Sequence, residues 1–342
     1  MSENPSCSSS AEGVVPPRNV AAEQVPTAIG ADRCAEKITQ LKRPVLQEDS
    51  TDGTEAQPFL KWAGGKGQLL PQLEPLFPRA IHSYVEPFVG GGAFFFRLKA
   101  RFPNTEAFLR DSNAELINCY QNVRDNVEGL MQRLDEHLRL FRAESDDYFY
   151  SVRSQHQLED PVSRAARLIF LNKTCYNGLW RVNARGQFNV PIGSYQPEKV
   201  SLYERGNLLA ASNALKNVDI AVQDFRETLR AAPAGAFVYV DPPYDPISAT
   251  ANFTSYTKEL FGKEQQTELA ALFAEAAERG VHLMLSNSDT PLIQKLYENF
   301  QLLKVKARRA VNSDGAKRGS ISEVLVLSYP QPTQARDLPQ RS

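Results

Sequence analysis

The chain contains 342 residues, of which 42% are hydrophobic and 23% charged, a composition that excludes a collagen-like chain and a wholly disordered one. No apolar run is long enough to cross a bilayer, and four widely spaced cysteines occur in a chain without a visible secretory signal. These features predict a protein of the reducing cytosol that has no membrane segment, no disulfide framework and no metal site.

The formal net charge of −1 conceals two local imbalances. Residues 164–205 contain seven basic and two acidic residues, and residues 302–320 contain six basic residues and one acidic residue. Two basic stretches in a neutral chain favour a face that binds a polyanion. Two ordinary solvated surfaces would have the same composition, and this alternative stays open.

The two ends of the chain differ in composition from its middle. Residues 1–57 are rich in Ser, Pro, Ala and Glu, and they contain five basic and nine acidic residues. Such a segment cannot bury enough apolar surface to offset the entropy of ordering. We therefore expect a disordered extension over 1–57 and, on similar grounds, a flexible tail over 330–342.

Between these ends, short apolar runs alternate with amphipathic segments. The apolar runs predict buried strands over 82–86, 106–111, 218–222, 237–241 and 281–286. The helical spacing of apolar residues predicts one helix that begins at Ala93, a second over 115–138 and a third over 264–279. The alternation predicts an α/β fold with a mostly parallel sheet.

Two segments depart from this alternation. The apolar runs at 302–306 and 323–328 are joined by a polar loop, and we expect them to form an antiparallel hairpin that closes the sheet. Residues 112–205 contain helical patterns and then loops, which predicts a helical domain inserted into the α/β domain. The α/β domain then comprises 58–111 and 206–329.

The first chemical motif is a predicted strand that runs into three glycines at 90–92 and then into a helix. Asp111 lies nineteen residues beyond Gly92, at the end of the next predicted strand, where a carboxylate can hold the hydroxyls of a ribose. Because the motif lacks the spacing of a dinucleotide fingerprint and the lysine of a P-loop, it favours a nucleoside without a pyrophosphate. A merely tight turn is an equal alternative.

The second motif is Asp241-Pro242-Pro243-Tyr244, at the end of another predicted strand. Two prolines end the strand ladder and leave backbone carbonyls free to face a ligand. An Asp241 oxygen and the Pro242 carbonyl can accept the two hydrogens of an exocyclic amine such as N6 of adenine, and the Tyr244 ring can stack on the base. This arrangement suits direct transfer of a methyl group from a sulfonium, without a covalent enzyme intermediate. The alternative is a rigid turn with a capping aspartate.

The third motif, Phe-Leu-Lys-Trp-Ala-Gly-Gly-Lys at 59–66, suits a loop that packs on a charged, planar ligand. Together the motifs resemble those of the Dam-type DNA adenine-N6 methyltransferases, the D12 class or alpha group of N6-adenine methylases, and they occur here in the same order. The resemblance covers 58–329, with further matching segments at 111–116, 176–181, 188–193, 248–256 and 285–287.

The resemblance implies a Rossmann-like, S-adenosylmethionine-dependent methyltransferase fold with seven strands and an inserted helical DNA-recognition domain. It implies S-adenosylmethionine as cofactor and adenine in double-stranded DNA as substrate, with catalysis by the residues of the second motif. The cofactor positions of the family carry over to Trp62, Lys66, Asp111 and Asp241, together with the first-motif residues Glu86, Pro87, Phe88 and Gly90. Phe225 either lines the pocket for the cofactor's adenine or belongs to the core.

The resemblance also suggests GATC as the target, read by the inserted domain. Arg181 is expected to read a guanine, and Leu179 and Pro191 a thymine methyl group. Tyr176 is expected to insert into the DNA base stack at the position that the flipped adenine vacates. The other expected DNA contacts are Lys61, Asn177 and Asn183, with phosphate contacts from Arg308, Arg309, Lys317 and Arg318. Ordinary loop packing is the alternative for the loop residues, and 173–175 and Trp180 depart from the family pattern, which leaves the flanking preference open.

These inferences predict a monomeric DNA adenine-N6 methyltransferase in the cytoplasm of a bacterium or a phage host, associated with the nucleoid through DNA. Methylation of N4 of cytosine is one alternative, although Ser usually stands in place of Asp241 in enzymes of that reaction. Glutamine methylation of a protein is a weaker alternative, because Asn usually leads the corresponding tetrapeptide. A DNA-binding regulator that has lost catalysis is a further alternative, against which the intact Trp62, Lys66 and Asp111 argue. Roles in DNA replication, DNA repair and restriction–modification are all compatible with the predicted reaction.

Overall fold

The computed structural model describes residues 55–245, 261–308 and 320–331. The predicted extension and tail lie outside the described residues, except for 55–57 and 330–331. The matching segment at 248–256 and the predicted phosphate contacts Arg309, Lys317 and Arg318 also lie outside them.

The strands of the described part form one sheet. They are β1 (Ser83–Glu86), β2 (Glu106–Asp111), β3 (Asp219–Val222), β4 (Phe237–Val240), β5 (His282–Ser288), β6 (Gln301–Arg308) and β7 (Ser320–Leu327). Their order across the sheet is β3-β2-β1-β4-β5-β7-β6. β1 to β5 run parallel to one another, and β7 runs antiparallel between β5 and β6. The structure therefore confirms the predicted α/β fold, its seven strands and the antiparallel hairpin.

Helices connect the strands and extend the segment between β2 and β3. They are α1 (Leu70–Leu73), α2 (Ala93–Arg101), α3 (Ala114–Asp125), α4 (Val127–Glu144), α5 (Asp146–Ser154), α6 (Pro161–Thr174), α7 (Arg205–Leu215), α8 (Phe225–Ala231), α9 (Lys263–Glu278) and α10 (Pro291–Leu296). Short 3₁₀ turns occupy Lys66–Gln68, Glu74–Leu76, Tyr176–Gly178 and Pro197–Lys199. Within the described ranges, none of these helices has the length and apolar character that a membrane span requires.

The prediction of one continuous helix over 115–138 is wrong. The structure divides it into α3 and α4 at Asn126, whose φ of −146° and ψ of 49° are not helical. The Asn126 N–H donates to the Asn122 carbonyl and ends α3, and α4 begins at the next residue. Because buried apolar residues continue at helical spacing on both sides of Asn126, the sequence pattern does not reveal the break.

The centre of the sheet lies between β1 and β4, which are buried along their whole length. Parallel strands that are covered on both faces form continuous apolar runs, which explains why the sequence predicted their position closely. The chain extends from β1 to β2 and β3 on one side and from β4 to β5 on the other. Open parallel sheets bind ligands at the carboxyl ends of the strands where the order reverses in this way. We call this place, where Glu86 ends β1 and Asp241 follows β4, the crevice.

Aromatic side chains fill the core on one face of the sheet. Phe94 of α2 stacks on Tyr239 of β4 with ring centroids 3.6 Å apart, and on Tyr84 of β1 at 6.0 Å. The same apolar cluster continues into the helices between β2 and β3 through Leu116 and Phe170, which are fully buried. The burial of this shared apolar surface holds those helices against the sheet.

Candidate active site

Asp241 and Lys66 form a buried ion pair in the crevice. Asp241 follows β4 directly, and its Oδ1 lies 2.8 Å from Lys66 Nζ. The side chain of Lys66 is 5% exposed and that of Asp241 20% exposed. Lys66 Nζ also donates to the Gly64 carbonyl at 2.6 Å, and Ser286 Oγ of β5 donates to Asp241 Oδ1 at 3.0 Å. Because both donors bind Oδ1, a ligand can be received at Oδ2.

Three carboxyl groups stand at the carboxyl ends of neighbouring strands: Glu86 on β1, Asp111 on β2 and Asp241 after β4. Burial raises the pKa of Glu86 well above its usual range, a hydrogen bond from Tyr84 opposes the rise, and the charges of Asp241 and Asp111 add to it. Burial also raises the pKa of Asp241, and the ammonium of Lys66 opposes that rise. The crevice therefore gathers three carboxyl groups whose raised pKa values favour the neutral form, beside the ammonium of Lys66.

Asp111 is linked to the glycine turn that follows β1. Its Oδ2 accepts a hydrogen bond from the Gly90 N–H at 3.3 Å, and its Oδ1 accepts one from the Asn113 N–H at 2.9 Å. Burial raises the pKa of Asp111 to about 6, and the bonds from backbone N–H groups oppose the rise. The Asp111 carboxyl group is therefore held beside the glycine turn, and its pKa of about 6 is close to neutral pH.

The glycine turn itself is approached closely by two protein side chains. Gly90 has a left-handed φ of 47°, and a Cβ there would lie 2.9 Å from Cδ1 of Trp62. A Cβ on Gly92 would lie 2.5 Å from the hydroxyl of Tyr120, which donates to the Gly90 carbonyl at 3.0 Å. Trp62 stacks in turn on Trp180, with ring centroids 6.3 Å apart. The glycines are thus required for the packing of Trp62 and Tyr120, whatever ligand the turn also meets.

An aromatic cluster lies beyond the end of β3. Phe225, which begins α8, is 5% exposed and stacks on Phe88 with ring centroids 5.5 Å apart. Phe261 contacts both rings, at 5.8 Å from Phe88 and 5.6 Å from Phe225. The guanidinium of Arg226 lies 4.6 Å from the centroid of Phe225 and pairs with Glu268 of α9 at 2.7 Å. The two interpretations of Phe225 are therefore not exclusive, because Phe225 is buried and also joins the half-buried Phe88.

The backbone that follows β4 is held by buried amides. Pro242 is buried, and the carbonyl of the exposed Pro243 accepts a hydrogen bond from Gln266 Nε2 of α9 at 2.8 Å. Asn287 of β5 accepts a hydrogen bond from the Asp245 N–H at 3.1 Å and donates to the Gln266 side chain at 3.1 Å. These contacts position the second motif between α9 and β5.

The Tyr244 side chain is held at two points. Its hydroxyl donates to Glu323 Oε2 of β7 at 2.5 Å. Lys66 Nζ lies 4.6 Å from the centroid of the Tyr244 ring, within the range of a cation–π contact. The ammonium group that pairs with Asp241 therefore also touches the last residue of the motif.

The loop over 176–193 carries most of the residues predicted to contact DNA. Tyr176 is 53% exposed, and its N–H donates to the carbonyl of the exposed Pro191 at 2.9 Å. Arg181 is exposed, and its Nε donates to Asn189 Oδ1 at 2.8 Å. In the same loop Asn177 has a left-handed φ of 55° and is exposed, Leu179 is half-buried, and the Asn183 side chain accepts hydrogen bonds from the N–H groups of residues 185 and 187.

One buried amide ties this loop to the segment before β1. Asn172 of α6 is fully buried; its Oδ1 accepts a hydrogen bond from the Lys61 N–H at 2.8 Å, and its Nδ2 donates to the Lys61 carbonyl at 2.7 Å. The same Nδ2 donates to the Gly178 carbonyl at 3.0 Å. The exposed Lys61 side chain reaches toward Tyr195, with Nζ 5.7 Å from the ring centroid.

The basic stretch over 164–205 does not form one free basic face. Arg164 pairs with Glu115 at 2.6 Å, and Arg205 pairs with Glu128 at 2.9 Å. Arg167 is buried and donates to the carbonyls of residues 152 and 153. Arg164, Arg167 and Arg205 therefore each have a partner within the protein, although Arg205 is itself exposed, as is Arg181. In the second basic stretch, Arg308 ends β6.

Several residues of the site were missed by sequence reasoning: Asn172, Gln266, Ser286, Asn287 and Glu323. Ser286 and Asn287 belong to the matching segment at 285–287, which gave a position but no role. Glu323 had no local signal, since its partner Tyr244 is 79 residues away in the chain. Within the described residues, no group of three or more His, Cys, Asp or Glu side chains has the arrangement of a metal site.

Comparison with known proteins identifies the family of this chain. Residues 62–311 match the family of D12 class N6 adenine-specific DNA methyltransferases. The chain is 43% identical over 290 residues to the Type II methyltransferase M.MjaIII of Methanocaldococcus jannaschii, with 80% of this chain and 100% of that protein covered. It is 40% identical over 280 residues to the Type II methyltransferase M1.LlaDCHI of Lactococcus lactis subsp. cremoris, with 80% and 95% covered. It is 36% identical over 275 residues to the DNA adenine methylase of Escherichia coli K12, with 80% and 95% covered.

The family match spans β1 to β6 and contains the ion pair, the glycine turn, Asp111 and the second motif. It confirms the predicted enzyme class, an adenine-specific DNA methyltransferase, over the alternatives of cytosine methylation and glutamine methylation. The chain belongs to the D12 class N6 adenine-specific DNA methyltransferases.

Proposed function

We propose that this enzyme transfers a methyl group from S-adenosylmethionine to N6 of adenine within GATC in double-stranded DNA. Membership of the family implies a methyl donor of the S-adenosylmethionine type and a DNA substrate. The single observation that carries the proposed chemistry is the position of Asp241, the first residue of the second motif, which is paired with Lys66 in the crevice.

The crevice has the chemical groups that S-adenosylmethionine requires. Asp111 is a carboxylate for the ribose hydroxyls, and Phe88 and Phe225 form an aromatic surface for the adenine. Asp241 and Lys66 complement the ammonium and carboxylate of the amino-acid end. The proposed binding site for S-adenosylmethionine also includes Trp62, Glu86, Pro87 and Gly90. When bound, S-adenosylmethionine supplies a methyl group on a positively charged sulfonium.

The residues of the second motif are assigned to the acceptor adenine. An Asp241 oxygen and the Pro242 carbonyl accept the two N6 hydrogens, which favours a nitrogen with an available lone pair. Burial raises the pKa of Asp241, so its carboxylate is a better acceptor for the proton that leaves N6 than an exposed aspartate is. Tyr244 stacks on the extruded base, and Pro243 fixes the backbone between them.

The inserted domain over 112–205 is assigned to DNA recognition. Arg181 reads a guanine, and Leu179 and Pro191 contact a thymine methyl group. Tyr176 fills the gap that the flipped adenine leaves, which its 53% exposure allows. Lys61, Asn177 and Asn183 support this readout, and Arg308, Arg309, Lys317 and Arg318 contact phosphates. In this assignment the enzyme acts as a monomer.

The proposed reaction is tested with labelled S-adenosylmethionine and duplexes with and without one GATC, digested to nucleosides afterwards. We expect N6-methyladenine in the GATC duplex alone. Asp241→Ala and the isosteric Asp241→Asn should lower methyl transfer by about 10³-fold and leave duplex binding largely intact, because Ala removes the acceptor of the N6 hydrogens and Asn keeps an acceptor oxygen but loses the negative charge that takes up the proton. Asp125→Ala, which removes an exposed carboxylate, is the matched control and should keep full activity. Methyl transfer that survives in both Asp241 variants would contradict the mechanism.

Arg181→Ala should relax the specificity for GATC. If Arg181 forms a bidentate contact with guanine, its loss reduces discrimination by about 1–3 kcal/mol, or ~5- to 150-fold in the ratio of kcat/KM values. The measurement compares GATC with duplexes that carry one changed guanine. Arg185→Ala, at an exposed position of the same loop, should keep the wild-type ratio. Equal losses on all duplexes would show that Arg181 contacts the backbone and not a base.

Donor affinity should depend on the protonation of Asp111. The pKa of Asp111 is raised to about 6, so the carboxyl is ionised above that pH and neutral below it. A neutral carboxyl loses one acceptor for the ribose hydroxyls, and the affinity for S-adenosylmethionine should therefore fall by up to about tenfold per pH unit below the pKa. Calorimetric titrations between mildly acidic and neutral pH measure this slope. Asp111→Asn should bind weakly without the slope, and an unchanged slope in that variant would contradict the assignment.

A further inference from the structure

Glu323 brings a carboxylate from the antiparallel strand to the second motif. It lies on β7, paired with Ser288 of β5 on one side and with Val305 of β6 on the other. Its Oε2 accepts the hydrogen bond from the Tyr244 hydroxyl at 2.5 Å. The contact therefore joins the far part of the sheet to the residue that follows the two prolines.

The position of Glu323 is electrostatically unfavourable for a carboxylate. Burial raises its pKa, and the negative charge of Asp241 adds to the rise. The ammonium of Lys66 and the hydrogen bond from Tyr244 oppose these effects. Among the ion pairs formed by the residues that the structure describes, none includes Glu323. Since a half-buried carboxylate costs stability unless its partners compensate, the nearby ammonium of Lys66 and the hydrogen bond from Tyr244 together compensate Glu323.

The hydrogen bond between Tyr244 and Glu323 restricts the side-chain rotation that the fixed backbone still allows to the Tyr244 ring. The backbone on either side is fixed by Gln266, which donates to the Pro243 carbonyl, and by Asn287, which accepts from the Asp245 N–H. The ring can still turn about its side-chain torsions. Lys66 Nζ lies over one face, at 4.6 Å from the centroid, and Glu323 holds the hydroxyl at the far end of the ring.

We propose that Glu323 is a positioning residue that holds the Tyr244 ring in the orientation in which its face away from Lys66 stacks on the extruded adenine. The inference rests on the proposed function, in which Tyr244 contacts the acceptor base. A ring that is oriented before the base arrives does not lose rotational freedom during binding, and small misplacements near a reacting group reduce the rate strongly. Glu323 acts through Tyr244 and does not itself touch the adenine.

The test combines Glu323→Ala, Glu323→Gln and Tyr244→Phe with the double variant Glu323→Ala/Tyr244→Phe. Glu323→Ala should lower kcat by about 10- to 100-fold, because the ring is no longer held. Its dissociation constant for S-adenosylmethionine should stay within about twofold of the wild type, because Glu323 is bonded to Tyr244, which is assigned to the acceptor adenine and not to the donor. Glu323→Gln keeps an oxygen that accepts from Tyr244 and should recover most of the rate. Glu298→Ala, which removes an exposed glutamate, is the matched control.

The double variant separates positioning from a merely structural role. If Glu323 acts only through the Tyr244 hydroxyl, its replacement should cause no further loss of rate in the Tyr244→Phe background. A duplex with 2-aminopurine at the target position should fluoresce more strongly with Glu323→Ala than with the wild type, because the flipped base stacks less well.

Three results would overturn the positioning role while the proposed function stands. They are wild-type kcat in Glu323→Ala, a Glu323→Gln variant as slow as Glu323→Ala, and losses from Glu323→Ala and Tyr244→Phe that multiply in the double variant. A loss of donor binding in parallel with kcat would also overturn it, because it would indicate general damage to the crevice. A wild-type enzyme that forms no N6-methyladenine would overturn the proposed function and this role with it.

Discussion

The buried ion pair between Lys66 and Asp241 is the contact on which the crevice depends. A buried charge is tolerated only when it is paired and hydrogen-bonded, so neither residue can be replaced alone without leaving the other uncompensated. The pair joins the segment before β1 to the end of β4. Because the same ammonium lies 4.6 Å from the centroid of the Tyr244 ring, it positions both ends of the second motif.

The topology of the sheet explains why residues from distant parts of the chain meet in one crevice. The reversal of strand order between β1 and β4 brings Glu86, Asp111 and Asp241 to adjacent strand ends. Asn172 then links the backbone of Lys61, five residues before Lys66, to Gly178 in the exposed loop. The proposed base readout and the proposed chemistry are therefore connected through a few backbone contacts, which is how recognition of the site can orient the reacting adenine.

The sequence predicted the strands more reliably than the contacts of the site. The strand over 106–111 has the predicted bounds, because its apolar residues at 107–109 are buried and charged residues flank them on both sides. The break at Asn126 was not predicted, because apolar residues keep their helical spacing across it. Local motifs located Asp111 and Asp241, whereas Glu323 depends on the pairing of β5 with β7, which no local pattern specifies. The basic composition of 164–205 also did not reveal that Arg164 and Arg205 pair with glutamates.

The measurement that tests the central role of the ion pair most directly is a double-mutant cycle on the free energy of unfolding in urea, with Lys66→Met, Asp241→Asn and both together. Each single variant should lose about 3–5 kcal/mol, because Lys66→Met leaves a buried charge without its partner and Asp241→Asn does the same to Lys66. The double variant should be less destabilised than the sum of the two by at least about 2 kcal/mol. Losses that add to within about 0.5 kcal/mol would contradict the account, because they would show that the two charges do not depend on each other.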